Sequence, residues 1–372
     1  LGPVMPYPVE FSGQGSAEKC RVVARDFKNT GADAAVVSAP DSIAWLLNIR
    51  GSDVSNTPLA LSYAVIHRTG DVDWYIEGRK LPAITRAALA SGVTVRDPAE
   101  FTAGLSVLGS AGKIVRLDNA TISEAVRSWL IQAGAEIVDG RDPCSLPKAR
   151  KNAVEVAGTR QAHIRDGAAL TSFLAWLAAE APKGAVTELL AAARLRDFRV
   201  SDDYFRGLSF ETISGAGPNG AIVHYRVTAE TDRVLHPGDI YLVDSGAQYL
   251  DGTTDVTRTV FIDDGNGAPA EARDRFTRVL KGHIAVATAR FPIGTYGSQI
   301  DALARRSLWE VGLDYDHGTG HGVGAYLGVH EGPQRISKTG GGAPMETGMI
   351  LSNEPGYYKE GEYGIRIENI IV

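Results

Sequence analysis

The sequence has only two cysteines, Cys20 and Cys144, which lie far apart in the chain. A disulfide framework and a Cys-x-x-Cys metal site are therefore both excluded. Its apolar runs stay well short of the roughly 20 residues that a membrane span needs. The formal net charge of -6, with both signs interspersed, leaves no broad basic surface for a phosphate backbone. We therefore expect a cytoplasmic protein whose partners include neither a membrane nor a nucleic acid.

The order of helix, strand and breaker signals predicts two domains. Residues 1–8 contain several prolines and are predicted to form a linker. Residues 9–145 alternate helical and strand-like segments, which predicts an α/β domain. Residues 146–372 begin with long helical stretches and continue with strand-like segments at 240–244 and 255–262, which predicts an α+β domain. The chain opens without an initiator Met or a secretory signal and closes on an apolar strand pattern, so we expect further sequence on both sides.

Two aspartates mark the strand-like pair in the second domain. Asp244 ends the strand 240–244 and Asp255 begins the strand 255–262, with a turn signal at 250–252 between them. An antiparallel hairpin would bring the two carboxylates together, opposed either directly or diagonally. A single acidic residue is most simply a solvated surface group. Two neighbouring carboxylates, however, repel each other unless a cation lies between them, and this pairing favours a metal site.

Three of the eight histidines, His317, His321 and His330, lie in one glycine-rich stretch. A lone histidine is more often structural than a ligand, but glycines let the backbone approach a bound group closely. A phosphate-binding loop is disfavoured because the P-loop lysine and the dinucleotide fingerprint are both absent.

Further acidic residues follow towards the end of the chain. Glu354 ends another apolar strand, and a terminal strand over residues 365–372 carries Arg366 and Glu368 on one face. Taken alone, Arg366 and Glu368 are more typical of the solvent-exposed face of a half-buried sheet. If all these groups converge, four carboxylates and one imidazole form a donor set that suits Mn²⁺, Co²⁺ or Zn²⁺ better than a thiolate-selected ion.

The motifs at 244–259, 317–333, 354–358 and 364–369 closely resemble those of the Xaa-Pro aminopeptidases. These are pita-bread metallopeptidases, a group that also includes prolidase, methionine aminopeptidase and the metal-free creatinase. Residues 43–53 resemble part of the non-catalytic domain that precedes the catalytic one in this family. The resemblance implies an α+β pita-bread catalytic domain preceded by an α/β creatinase-like domain, as in the long three-domain forms without their first domain or the segment after the terminal strand.

The resemblance also implies which residues form the site, because each matches a position in a motif of the family. It implies that two divalent ions, most often Mn²⁺ with Zn²⁺ or Co²⁺ as alternatives, are held by Asp244, Asp255, His321, Glu354 and Glu368. Glu354 is also the candidate acceptor of a proton from water. Contacts to the substrate are implied for His224, His317 and His330, and Arg366 resembles a residue that orients the carboxylates.

The activity implied by the resemblance is hydrolysis of the bond between an N-terminal residue and a following proline. Peptides with proline at the second position are then the partners, and a homodimer is left open. Prolidase, which acts on Xaa-Pro dipeptides, is the nearest alternative. A peptide-binding protein without catalysis is a second alternative, which the intact ligand set disfavours.

Overall fold

The computed structural model describes residues 2–372, which form two compact units. The first unit extends to Val154, and the second comprises Glu155–Val372. The segment just before this division belongs with the first unit, where the Lys148 ammonium, 2% exposed, forms a 2.8 Å ion pair with Asp41. The domain boundary predicted between residues 145 and 146 stays a prediction.

The first unit alternates helices with short strands. Its helices are α1 (Val9–Ser12), α2 (Ser16–Thr30), α3 (Pro40–Leu47), α4 (Ala83–Ala88), α5 (Phe101–Ser110), α6 (Glu124–Ala133) and α7 (Ser145–Ala149). Its strands are β1 (Met5–Pro6), β2 (Ala34–Val37), β3 (Ile49–Arg50), β4 (Tyr63–His67), β5 (Val72–Tyr75), β6 (Val93–Arg96), β7 (Ile114–Leu117) and β8 (Glu136–Asp139). The α/β character predicted for this part of the chain is confirmed.

A mixed six-stranded sheet, in the order β6-β5-β4-β2-β7-β8, forms the centre of the first unit. Helices α2 and α6 end at Gly31 and Gly134, which adopt left-handed φ angles of 76° and 100°. Helix α6 starts at Glu124 because the Ser123 side chain accepts a hydrogen bond from the backbone N–H of Val126. Its apolar face packs with α5 against the sheet to form the core.

The second unit begins in a long helix and continues with short strands. Its helices are α8 (Ala153–Glu180), α9 (Glu188–Val200), α10 (Ala270–Ala287) and α11 (Gly297–Trp309). Its strands are β9 (Phe205–Leu208), β10 (Ile213–Ala216), β11 (Ile240–Ser245), β12 (Ala247–Tyr249), β13 (Gly252–Thr253), β14 (Val256–Phe261), β15 (Gly320–Gly322), β16 (Glu331–Ile336), β17 (Leu351–Asn353), β18 (Gly356–Lys359), β19 (Tyr363–Arg366) and β20 (Asn369–Ile371). Within residues 2–372, none of the helices combines the length and the apolar character that crossing a bilayer requires.

Four small antiparallel sheets build the second unit, in the orders β10-β11-β14, β13-β12-β9, β16-β15-β17-β20 and β18-β19. Strands β11 and β14 pair as predicted, with Ile240 opposite Phe261. The turn signal at 250–252, however, belongs to a second hairpin, β12–β13, inserted between them. Apolar residues of α8 and α9 pack against β11 and β14 to form the main core of this unit.

The predicted continuous terminal strand over residues 365–372 is wrong. It divides into β19, which pairs with β18, and β20, which pairs with β17. At the break, Ile367 N donates to the Pro355 carbonyl and Glu368 N donates to the Thr257 carbonyl. These two backbone bonds leave the regular ladder and turn the chain from one sheet into the next.

Candidate metal centre

Strands β11 and β14 bring the two predicted aspartates together. Asp244 lies opposite Thr257 in the ladder, so Asp255, two residues earlier, is its diagonal neighbour. Of the two arrangements left open by the sequence, the structure therefore has the diagonal one. Asp244 and Asp255 are 8% and 4% exposed. Two carboxylates thus lie side by side in a largely water-free place.

The remaining predicted ligands come from three other elements. His321 lies on β15, Glu354 directly follows the neighbouring strand β17, and Glu368 lies at the break between β19 and β20. His321 Nε2 is 3.5 Å from Asp255 Oδ2 and 3.4 Å from Glu354 Oε1. One ligand atom each from Asp255, His321 and Glu368 lies within 4.8 Å of the others. The structure thus brings together residues up to 124 positions apart in sequence, since Asp244 and Glu368 line the same cavity.

That cavity has a volume of about 660 Å³. Besides the five predicted ligands, its lining includes His224, His317, His330 and Arg366. Every site residue named from the sequence therefore faces one pocket.

Hydrogen bonds fix the orientation of the His321 ring. Its Nδ1 lies 2.9 Å from the carbonyl oxygen of Gly322, which can only accept, so Nδ1 carries the proton. Nε2 is left facing the carboxylates of Asp255 and Glu354, so this nitrogen would bind a metal ion once the ion displaces its proton.

A layer of polar groups behind the carboxylates holds them in place. Arg366, 2% exposed, donates from Nη2 to Asp244 Oδ2 at 2.7 Å and from Nε to Thr257 Oγ1 at 3.2 Å. Thr257 in turn donates to Glu368 Oε2 at 2.6 Å, and Ser352 donates to Glu354 Oε1 at 3.0 Å. The predicted partner role of Arg366 fits these contacts.

Thr257 and Ser352 were not assigned a role from the sequence. Each lies two positions from a predicted ligand, Thr257 after Asp255 and Ser352 before Glu354. Residues two apart on a strand share a face, so this spacing could have pointed to both.

Burial and mutual repulsion shift the titration of the cluster. Burial raises the pKa of Asp255 to about 6, and the charge of Asp244 adds to this effect against the hydrogen bond from His321. Burial also raises the pKa of Glu354 to about 7, and it raises that of Glu368 well above the usual range. Burial alone would lower the pKa of His321, but the hydrogen bond with Asp255 and the charge of Glu354 raise it to about 9. These four groups compete for protons when no cation is present.

The histidines around the cluster differ in their contacts. His317 Nδ1 donates to the Gly318 carbonyl at 2.8 Å, and its Nε2 lies 2.8 Å from the Tyr358 hydroxyl. Burial lowers the pKa of His317 to about 4, so its neutral Nε2 accepts from Tyr358, which itself accepts from Arg366. Both ring nitrogens of His317 are therefore engaged by protein groups. The His330 side chain is exposed, but its ring centre lies 4.2 Å from that of His321, and desolvation by the surrounding protein together with the charge of His321 lowers its pKa to about 4.

This donor set fits divalent metal ions. When all four carboxylates are ionised, their negative charge exceeds what the Arg366 guanidinium, bonded to Asp244, can balance in this low-dielectric place. Asp244 Oδ1 is buried and has no hydrogen-bond partner within residues 2–372. Such an atom is costly unless something binds it, and a cation would satisfy it.

Comparison with known proteins agrees with the interpretation of this cavity as a metal site. The model of "Metallopeptidase family M24" matches residues 157–372, and that of "Creatinase/Prolidase N-terminal domain" matches residues 1–155. A protein described as a probable Xaa-Pro aminopeptidase P from Laccaria bicolor is 45% identical over 373 residues, which cover 98% of this chain and 57% of that protein. A relative with the same description from Aspergillus niger is 43% identical over 381 residues, covering 99% of this chain and 61% of that one.

A solved structure has the same fold. The crystal structure of an X-prolyl aminopeptidase from Caenorhabditis elegans, described as a cytosolic enzyme with a di-nuclear active site, superposes with a TM-score of 0.93 at 39% identity. The match covers 100% of this chain and 61% of that one, so the chain spans about six-tenths of the length of these relatives. The predicted fold class, a pita-bread domain after a creatinase-like domain, is confirmed. The chain belongs to metallopeptidase family M24, and its acidic cluster lies in the part that defines the family.

Proposed function

We propose that this chain provides the active site of an Xaa-Pro aminopeptidase, which hydrolyses the bond between an N-terminal residue and a following proline. The observation that carries the proposal is the convergence of four carboxylates and the His321 imidazole on one cavity of about 660 Å³. The names of the relatives and the di-nuclear site of the C. elegans enzyme support it.

Two divalent ions would be held by Asp244, Asp255, His321, Glu354 and Glu368. The oxygen-rich set favours Mn²⁺, with Zn²⁺ or Co²⁺ as alternatives, because hard carboxylates dominate and only one imidazole contributes. When bound, such ions polarise a carbonyl group and lower the pKa of water.

The protein groups supply orientation and proton handling. Ser352 donates a hydrogen bond to Glu354 Oε1, and the Glu354 carboxylate, which lines the cavity, is the candidate to accept a proton from the attacking water. His330 and His224, both exposed on the wall of the cavity, are the candidates to hydrogen-bond to the carbonyl group or to the proline side of the bond. His317 holds Tyr358, which in turn contacts Arg366.

The selection of proline follows from the chemistry of the cavity wall. The imide nitrogen of proline has no hydrogen, so a site that required an amide donor would reject it. Ile213, Val223 and Val329 supply apolar surface on the wall against which a pyrrolidine ring could pack. A cytoplasmic location is proposed with this activity, because the C. elegans relative is described as cytosolic and both cysteines are free thiols. A homodimer stays a prediction.

Hydrolysis of Arg-Pro-Pro by the metal-stripped protein, with and without added Mn²⁺, tests the proposal. We expect free Arg to be released only with metal, to be lost in Asp255→Asn, and to be kept in Asp263→Asn, whose carboxylate is exposed on a loop. Turnover of Gly-Pro without turnover of Arg-Pro-Pro would instead establish a prolidase. No release with any divalent metal would favour a protein that binds peptides without cleaving them.

A further inference from the structure

The β12–β13 hairpin, which joins the two aspartates of the site, also holds the loop that carries His330. Gln248 and Thr253 are paired across this hairpin and are 3% and 0% exposed. Gln248 Nε2 donates a 2.7 Å hydrogen bond to the Leu327 carbonyl, and Leu327 N donates to Thr253 Oγ1 at 3.2 Å. The Thr253 hydroxyl in turn donates to Gln248 Oε1 at 2.8 Å. One side-chain pair therefore binds both backbone groups of Leu327.

The loop between β15 and β16 has a backbone conformation that other parts of the protein must hold in place. We call the hydrogen bonds of Gln248 and Thr253 to Leu327 the anchor of this loop. Tyr326 has a φ angle of 51°, in the left-handed region that residues with a side chain rarely adopt. On either side of it, Gly324 N donates to the Gly328 carbonyl at 2.9 Å and closes a tight turn. A backbone conformation of this kind persists only when the surrounding structure holds it.

His330 depends on this loop for its position. Its ring packs edge-on against that of His321 but forms no hydrogen bond to any part of the chain from residue 2 to residue 372, and the side chain is exposed. Apart from that ring contact, its position is set by the backbone on its two sides. On its C-terminal side, β16 begins at Glu331. On its N-terminal side, Leu327, three positions earlier, is held by the hydrogen bond from Gln248.

We propose that Gln248 and Thr253 are positioning residues that fix Leu327 and thereby place His330 beside His321. The proposal rests on the proposed function, in which His330 contacts the peptide. Because the hairpin lies between Asp244 and Asp255 in the chain, one short element then sets the spacing of the metal-binding carboxylates and of the histidine beside them.

Hydrogen exchange tests the anchor without any need for turnover. Thr253→Val keeps the shape of the side chain but removes the hydroxyl, so we expect amide exchange in residues 323–330 to rise about tenfold while β11 and β14 keep their protection. Thr253→Ser, which retains the hydroxyl, and Thr277→Val, on the exposed face of α10, should both exchange as the wild type does. Unchanged exchange in Thr253→Val would overturn the proposal. Gln248→Met provides a second variant with the same expectation if Thr253→Val does not fold.

Kinetics with Arg-Pro-Pro then test whether the anchor acts through His330. We expect Thr253→Val to lower kcat about tenfold, with KM and the Mn²⁺ requirement little changed and with activity restored in Thr253→Ser. In a His330→Ala background the same substitution should have no further effect, because the group that it positions is already absent. A full, additive loss in that background would overturn the proposal. If the wild type does not cleave Arg-Pro-Pro at all, the proposed function fails, and the exchange experiment still decides the anchor.

Discussion

The Nη2 group of Arg366 donates a 2.7 Å hydrogen bond to Asp244 Oδ2, while the other oxygen of that carboxylate has no partner within residues 2–372. One oxygen is thus fixed by a buried cation, and the other is left for a ligand. This division explains how a carboxylate can be held rigidly and still bind a metal ion.

Replacement of Arg366 by lysine should disrupt this arrangement. The guanidinium contacts Asp244, Thr257 and Tyr358 through three different nitrogens, and a single ammonium cannot reproduce that geometry. We expect Arg366→Lys to lower metal affinity or kcat/KM by about 10- to 100-fold. Metal titration and peptide hydrolysis measure the two quantities. Arg273→Lys, at an exposed position on α10, is the matched control and should leave both unchanged.

Metal binding should depend strongly on pH. In the metal-free site the pKa is about 6 for Asp255, about 7 for Glu354 and about 9 for His321, so near neutral pH the cluster holds protons that a metal ion must displace. Affinity should therefore fall as the pH drops from about 8 to about 5, by up to about tenfold per pH unit for each proton displaced. Calorimetric titration in two buffers with different ionisation enthalpies counts these protons. Metal uptake with no proton release near neutral pH would contradict the raised pKa values of Asp255, Glu354 and His321.

Asp255→Asn should stabilise the metal-free protein at alkaline pH. The folded-state pKa of Asp255 is raised to about 6, so the contribution of this residue to stability is present below its usual pKa and is lost as the pH rises through 6. Removal of the charge should raise the free energy of unfolding by on the order of 3 kcal/mol near pH 8, by about half of that near pH 5, and by little below about pH 4. Urea unfolding at the two pH values measures the difference. With Mn²⁺ the order should reverse, because only the wild type then gains stability from the ion. A variant less stable than the wild type in the metal-free state near pH 8 would contradict this.

The sequence shows local patterns around the candidate ligands, but it shows none for the surroundings that hold them. Asp244 and Glu354 follow apolar runs, and His321 lies among glycines, so their local patterns are visible along the chain. The anchor at Leu327 depends on Gln248 and Thr253, which are more than 70 residues away and lie in strands of only two or three residues. No local periodicity encodes such a long-range contact.

Residues 365–372 are a second case in which a long-range contact cannot be predicted from the local sequence. The alternating pattern over residues 365–372 places Arg366 and Glu368 on one face, and both line the cavity. The pattern does not reveal that the chain changes sheets between them, because that change depends on the Thr257 carbonyl of a distant strand. A single strand with period two and two strands with a break give nearly the same sequence.

Glu188 holds the segment that carries His224 through hydrogen bonds. This fully buried carboxylate, the first residue of α9, has a pKa raised by burial. It accepts hydrogen bonds from Ala216 N, Asn219 Nδ2, Tyr225 Oη and Arg233 N. These donors lie before, within and after a short 3₁₀ turn (Gly217–Ala221), and the segment that they bound includes His224. Glu188 therefore helps to fix the position of His224 in the cavity.

Glu188→Ala should be strongly destabilising, since it leaves several buried donors without an acceptor. We expect a loss of about 3 kcal/mol or more in the free energy of unfolding, measured by urea denaturation of the metal-free protein. Glu188→Gln keeps the shape and one acceptor oxygen, so its loss should be smaller. Glu360→Ala, at an exposed position, should change stability by less than about 0.5 kcal/mol. If Glu188→Ala unfolds at the same urea concentration as the Glu360 variant, the carboxylate does not hold this segment, and the position of His224 must be set by the sheet β10-β11-β14 alone.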